Sequence, residues 1–311
     1  MGLSVARQGA NFANGAFVPQ VYSAKMQAKF YAASVVPAIA NHDWEGDIAN
    51  FGDKVIIRKI PTITVFDHVV NADLPVQDVT DESITLLIDK AKGYNFNVTY
   101  VDEYQSDLAI IEKLTEDAAM QMKVAVDQSV LQSVYADVAT ANTIGYNSGV
   151  VVGNATAISL ATICSPTSPI YGGAIAPLIA AGQALDQNNV PRDGSRWAVI
   201  SPAWAAALKQ SDLKSVLITG DDKSPLRNGF IGEIDGMKVY VSNNLLNAVG
   251  ATSSAPSKCL VGHSSAVAFA SQFQKPEMLP NPRTFGTLVR GLNVYGFKTT
   301  KAEALSLINI Y

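Results

Sequence analysis

The sequence predicts an α+β fold, and three observations carry that expectation. Short β-branched runs bounded by turn residues fill the segment from Val55 to Asp89. A stretch without Gly or Pro runs from Ser106 to Thr140, longer than an ordinary helix. From Pro169 onward helical and strand-like segments alternate, and the tail is strand-like and punctuated by Gly.

The opening residues are the least structured part of this reading. Met1 to Gln20 holds one Arg, several Asn and Gly residues and no apolar run of the kind a signal peptide needs. It reads either as a frayed terminus or as an extended arm that becomes ordered against a neighbour. Val21 to Val36 turns helical or irregular, and Pro37 is expected to end it.

Phe51-Gly52-Asp53-Lys54 is a turn, and Val55 to Ile60 is a strand by its β-branched run. Thr62 to Phe66 alternates again after Pro61, and Ser83 to Asp89 forms the returning strand beyond a polar stretch from Asp67 to Asp81. Strands of about a dozen residues at ~3.3 Å each would project roughly 40 Å. A lone two-stranded ribbon is not stable in water, so such a hairpin needs something to lie on; two strands of an ordinary sheet are the equal alternative.

The long helix follows, with Ser106 and Asp107 as cap candidates and an expected end near Thr140. Ile111, Leu114, Ala118, Met122 and Ala125 form one apolar stripe, opposite Glu112, Glu116, Lys123 and Asp127. Past Ser129 the stripe moves to Val130, Leu131, Val134 and Val138, as in a strut that buries different faces against two bodies. Residues 101 to 140 hold eight acids and two lysines, which reads as a solvated acidic face.

Ala174 to Gln187 is the next helix, Trp197 to Ile200 a buried strand, and Ala203 to Lys209 a helix with Pro202 at its start. Ser211 to Arg227 is a polar loop. Met237 to Val241, Lys258 to Val261 and Ala266 to Ala270 are strands, and Thr284 to Tyr311 carries Gly286, Gly291 and Gly296.

Composition narrows the function. The 311 residues allow about two domains. They are 48% hydrophobic, enough for a packed core, which excludes disorder. Only 16% are charged, against roughly 25% in soluble proteins, so some surface is expected to be covered by a partner. A formal net charge of -4 excludes a strongly basic nucleic-acid binder. Cys164 and Cys259 are too few for a disulfide framework and read as small buried apolar residues.

Nothing in the chain spells catalysis. Phosphate loops, dinucleotide fingerprints and zinc-protease helices are missing from the sequence, and His42, His68 and His263 are scattered. Gly262-His263-Ser264-Ser265-Ala266 approaches a nucleophile elbow, but an α/β hydrolase needs a His after its Ser, and none follows Ser264. No enzyme, cofactor, metal or membrane association is expected.

Taken in order, the loose arm, the projecting hairpin, the long acidic helix and the mixed domain resemble the major capsid protein of tailed bacteriophages, whose fold is named after phage Hong Kong ninety-seven. Local phrases carry the same resemblance: Asn189-Val190-Pro191, Ala198-Val199-Ile200-Ser201-Pro202, Gly229-Phe230-Ile231-Gly232, Ile234-Asp235-Gly236-Met237-Lys238-Val239-Tyr240 and Ala266-Val267-Ala268-Phe269-Ala270. No scaffolding extension precedes them, which implies a separate scaffolding protein or a processed chain, with Met1 favouring the former.

The resemblance implies an N-arm at 1–50, an extended hairpin loop at 51–97, a peripheral domain at 98–165 with 281–311, and an axial domain at 166–280. It implies pentamers and hexamers of this chain in an icosahedral virion shell, made in the bacterial cytoplasm and enclosing nonspecifically held double-stranded DNA. Scaffolding, portal and decoration proteins would be its partners. Ile63, Val65, Ile84, Leu86 and Ile88 are the expected inter-subunit contacts, and Glu112, Glu116 and Asp127 the expected luminal face. An encapsulin-like nanocompartment shares the fold and is the main alternative. A tail tube fits the long helix poorly.

Overall fold

The computed structural model describes residues 31–32, 34–44, 54–61, 63–67, 76–78, 82–100, 110–147, 150–153, 157–163, 173–210 and 232–311. The expected arm before residue 31, Ser106 and Asp107, Cys164 and the loop Ser211 to Arg227 lie outside them.

In chain order the elements are α1 (Val36–Ile39), β1 (Lys54–Lys59), β2 (Glu82–Leu87), β3 (Lys90–Thr99), α2 (Ile110–Val134), β4 (Thr143–Asn147), β5 (Val150–Gly153) and α3 (Leu160–Ile163). There follow α4 (Ala176–Gln187), β6 (Arg196–Ile200), α5 (Pro202–Gln210), β7 (Glu233–Ile234), β8 (Met237–Val241), β9 (Ser257–His263), β10 (Val267–Pro280), β11 (Gly286–Thr299) and β12 (Leu305–Ile310).

These strands make three sheets. A mixed seven-stranded sheet runs β5-β4-β12-β9-β6-β8-β7, a three-stranded sheet runs β10-β11-β3, and β1 pairs with β2 alone. All five residues of β6 are buried, which fits its continuous apolar run at a position flanked by β9 and β8. The turn between β7 and β8 is Asp235-Gly236 with φ of 51° and 70°, the two positive values that a two-residue hairpin loop requires. Helix α4 packs over β12, β4 and β5, and buries Leu178, Ala181 and Leu185. Trp204 of α5 is fully buried and donates its indole N–H to the Ala174 carbonyl at 3.0 Å.

The sheets depart from the expected domain boundaries. β4, β5 and β12 join the sheet of β6, β8 and β9, although the expected boundaries place 98–165 and 281–311 in a separate peripheral body. β3 begins at Lys90 and pairs with β11, so residues 90–97 belong to the body rather than to the projecting loop. The reason is strand pairing at long range: the register Leu307↔Thr143 and Ile308↔Ile144 joins segments that sequence order separates.

Smaller differences have local causes. Pro37 opens α1 rather than ending a helix, because its missing N–H costs nothing in a first turn. Residues 63–66 carry no ladder despite their alternation. Helix α2 ends at Val134 and passes into a 3-10 turn at Tyr135–Asp137, short of Thr140. Its second stripe is as expected, with Val130, Leu131 and Val134 buried in the main core.

Around the β6 entrance a charged cluster closes the seven-stranded body. Arg196 is fully buried and donates to Asp186 at 2.7 Å and to the carbonyls of Val190 and Pro191. Arg192 donates to the same Asp186 and to Asp235. The hydrogen bonds from Arg192 and Arg196 hold the Asp186 carboxyl down to about 2.

Asp186 binds its proton more weakly folded than unfolded, so its contribution is complete above its ordinary value near 4 and is lost as pH falls through about 2. Denaturant titrations at stepped pH should therefore show a shallower loss of stability between pH 4 and 2 in Asp186→Asn than in the parent. A second expectation concerns packing. At Gly296 a methyl group would collide with the Leu87 carbonyl and lie 2.9 Å from the Ile88 Cα. Gly296→Ala should thus cost about 1–3 kcal/mol, read as a lower denaturation midpoint, because backbone rather than a flexible side chain must move.

Candidate functional site

No described group of three or more His, Cys, Asp or Glu side chains is arranged to hold a metal, and no described helix is long and apolar enough to cross a membrane. The residues of functional interest are surfaces: the hairpin, the sheet it crosses and the long helix.

The hairpin is built by β1 and β2 in antiparallel register, with Val55↔Leu86 and Ile57↔Ile84 as cross-strand partners. Alternation puts Val55, Ile57, Leu86 and Ile88 toward the three-stranded sheet, where Leu86 and Ile88 cluster with Ala268 and Ala270. Trp44 and Val294 pack against the same cluster. The small residues Ala268, Ala270 and Gly296 let the end of β2 pass close over β10 and β11. The Gly repeat in the tail is the sequence signal for this approach. At Gly291 the same absence of a side chain makes room for the Tyr94 ring of β3.

This corrects part of the expected contact set. Leu86 is fully buried and Ile88 nearly so, both within their own chain, so neither is available to a neighbouring copy. Ile84 is half-buried. Ile63 at 68% and Val65 at 92% remain exposed, and Ile60 at 96%, Val76, Ile56 and Leu87 add to them. The strands alternate as expected, but a body element rather than a second subunit covers their inner face.

Covering stops at Val294. Further along that face of the three-stranded sheet, Leu292 and Leu279 are exposed, and between them Arg290 makes a bond of 2.6 Å to Glu277. Phe285, before β11, is also exposed. On this face the exposed apolar residues Leu279 and Leu292 flank the Arg290–Glu277 ion pair.

On the long helix the three expected luminal acids separate. Glu112 and Glu116 are exposed. Asp127 is fully buried and cannot form part of a solvated face. Its Oδ1 accepts from Ser34 Oγ at 3.1 Å and from the backbone N–H groups of Val35 and Val36 at 2.8 and 2.9 Å. Its Oδ2 accepts from Asn244 Nδ2 at 2.7 Å. Helical spacing groups Asp127 with the other acids, and nothing in the sequence near Ser34 or Asn244 marks them as its partners.

The hydrolase alternative meets a different geometry from the one it needs. His263 Nδ1 lies 2.9 Å from Ser265 Oγ and 3.1 Å from the Ser265 N–H, while Nε2 faces Asp193 at 3.1 Å. Ser264, the residue at the elbow position, donates its backbone N–H to the Ser195 carbonyl. The imidazole therefore staples the turn at 264–266 to the Asp193 turn. Cys259 is buried and unpaired, and burial pushes its thiol up to about 11, which keeps it protonated and unreactive.

A solved structure from Mycobacterium phage Che8 superposes with a TM-score of 0.75 at 25% identity, over 96% of this chain and 98% of that one. The capsid structure of cyanophage P-SCSP1u gives a TM-score of 0.71 at 15% identity, over 95% and 93%. The asymmetric unit of the mature bacteriophage PhiM1 capsid gives 0.69 at 12%, over 94% and 91%. No curated protein matches the sequence. The model of the family described as phage capsid protein matches residues 82–305, most of the chain, and the chain accordingly belongs to that phage capsid protein family.

Proposed function

We propose that this major capsid protein is the repeating subunit of a closed icosahedral shell around double-stranded DNA, and that its β1–β2 hairpin clamps each copy to the next. The observation that carries the clamp is the half-covered hairpin. Leu86 and Ile88 are buried on their own sheet and Val55 and Ile57 partly so, whereas Ile60, Ile63, Val65 and Val76 leave large apolar side chains exposed to water. An exposed apolar set of this size marks a surface that a partner covers.

The complementary surface is the open end of the three-stranded sheet with Leu279 and Leu292. A contact between two different patches is heterologous, and repeated around symmetry axes it closes into rings, here pentamers and hexamers. In this assignment the three-stranded sheet with α2 is the peripheral body and the seven-stranded sheet the axial body, which meets the symmetry centres. Glu112 and Glu116 face the lumen, where like charge keeps DNA mobile. Scaffolding, portal and decoration proteins complete the particle, which is assembled in the bacterial cytoplasm.

Negative-stain microscopy of the purified chain, alone and with a scaffolding partner, tests this directly. Closed shells or five- and six-membered rings are expected, and a monomer under every assembly condition would overturn the proposal. Genomic DNA inside particles from infected cells supports the virion reading, whereas a cargo enzyme inside them would assign a nanocompartment.

Two substitutions test the parts. Replacing residues 67–81 by a short turn should leave the stability of the isolated chain within about 0.5 kcal/mol, as for surface changes. Shell yield or shell resistance to denaturant should fall, since apolar contact is worth ~25 cal/mol per Å² less the cost of ordering the loop. A shortened chain that assembles like the parent would remove Val76 and its loop from the clamp. In Glu112→Lys with Glu116→Lys, folding should change by only about a few tenths of a kcal/mol per site. Shells should then hold nucleic acid more tightly at low salt through counterion release. Equal retention across a salt series would place the helix away from the lumen.

A further inference from the structure

Residues 34–44 lie as a strap across the molecule. At one end Asp127 accepts the first free N–H groups of α1, from Val35 and Val36, together with the Ser34 hydroxyl. Val35, Val36, Ile39 and Ala40 then enter the main core beside Val126 and Val130 of α2. Asn41 makes a parallel bridge to the edge of β10, donating to the Val267 carbonyl at 2.8 Å and accepting from the Phe269 N–H at 2.9 Å. His42 meets the Phe269 ring edge-on at 5.5 Å, and Trp44 reaches the cluster beneath the hairpin. The chain before Ser34 and the hairpin beginning at Lys54 are both continuous with this strap.

We infer that Asp127 is a latch that decides whether the strap at residues 34–44 is docked on the body. Three properties make it one. The carboxylate is fully buried, and it makes no ion pair with a described Lys, Arg or His, so hydrogen bonds compensate its charge. It is acceptor-only, and its four bonds to Ser34, Val35, Val36 and Asn244 are all received from donors. Two of those donors are backbone groups at the start of α1 that a first helical turn cannot satisfy internally.

The latch is also specific in direction. One oxygen serves the strap and the other serves Asn244, which follows β8 in the seven-stranded body. A neutral amide in place of the carboxylate has one acceptor and one donor end. Turned to serve Val35 and Val36, it would bring an NH2 against the Asn244 NH2. Turned the other way, it would oppose the strap. Exchanging the two side chains restores the match, because the amide at position 127 would then donate to the carboxylate at position 244 and still accept from the strap. The Gln128 side chain, 3.5 Å from Asn244 Oδ1, would still meet an acceptor.

Amide hydrogen exchange on the unassembled full-length chain tests the latch, and its result does not depend on whether shells form. In Asp127→Asn, the Val35, Val36 and Asn41 amides should exchange about ten- to hundredfold faster, as expected for a buried charged hydrogen bond made imperfect. Amides of β6 and β9 should keep their protection. Asp127→Asn combined with Asn244→Asp should return the strap to within about threefold of the parent, since coupled neighbours compensate. Unchanged strap exchange in the single variant would overturn the latch. So would a double variant as exposed as the single one, or a single variant that loses protection in β6 and β9 as well, which would make Asp127 a general core residue.

Discussion

Both larger sheets hang on one bent antiparallel ribbon at the C-terminal end of the sequence. β9 pairs with β12 inside the seven-stranded sheet, and β10 pairs with β11 inside the three-stranded one. The bend lies where the 3-10 turns at 264–266 and 302–304 interrupt the two arms. Thr300 secures it by donating its hydroxyl to the carbonyls of Ser265 and Ala266 at 2.7 and 3.0 Å and its N–H to the Ala266 carbonyl at 2.8 Å. His263, held by Asp193 and Ser265, fixes the turn from the other side. The other strands of these sheets are added to this ribbon: β6, β8 and β7 beyond β9, β4 and β5 beyond β12, and β3 along β11. Hydrogen bonds at this crease, with Val267, Phe269 and Tyr295 packed in the main core, therefore help to set the relative placement of the two sheets.

The segments from the first third of the chain have a different character. The strap and the hairpin lie on a body whose sheets are complete without β1 or β2. The strap is held by Asp127, by Val35, Val36, Ile39 and Ala40 in the main core and by the β10 edge, the hairpin by Leu86 and Ile88 over Ala268, Ala270 and Gly296. That arrangement suits a shell subunit. A body rigid enough to be copied many times carries extensions whose remaining apolar surface is available to other copies. A charged share of only 16% suits the same use, since a surface that packs on other copies gains little from charges that would have to be dehydrated.

Much of the local structure is legible in the sequence because it rests on short-range physics. The buried strand at Trp197 to Ile200, the strand from Met237 to Val241 and the helix opened by Pro202 fall where apolar runs and turn residues put them. The shift of the apolar stripe on the long helix from one face to another appears as Val130, Leu131 and Val134 in the main core. The hairpin lies where alternation places it, and Ile63 and Val65 beyond its first strand are exposed. Alternation tells which residues share a face, however, and not what covers that face. Leu86 and Ile88 therefore look like contacts for a neighbour although their own sheet buries them. The same gap explains Asp127: a helical wheel ranks it with Glu112 and Glu116, but the donors that bury it come from Ser34 and Asn244, far away in the chain.

By itself, the sequence determined the element types, the α+β class, the projecting hairpin and, through the order of these pieces, the resemblance to phage capsid subunits. Those properties follow from local propensity, periodicity and composition, which act over a few residues. Tertiary structure alone decided which strands share a sheet, so that β4, β5 and β12 joined β6 and β9 across the expected domain boundary. It also decided which acids stay at the surface and which is a buried anchor, and which apolar residues remain exposed. Strand pairing and burial depend on surfaces meeting in space after the chain has closed long loops, and no pattern confined to one segment records where the matching surface will come from.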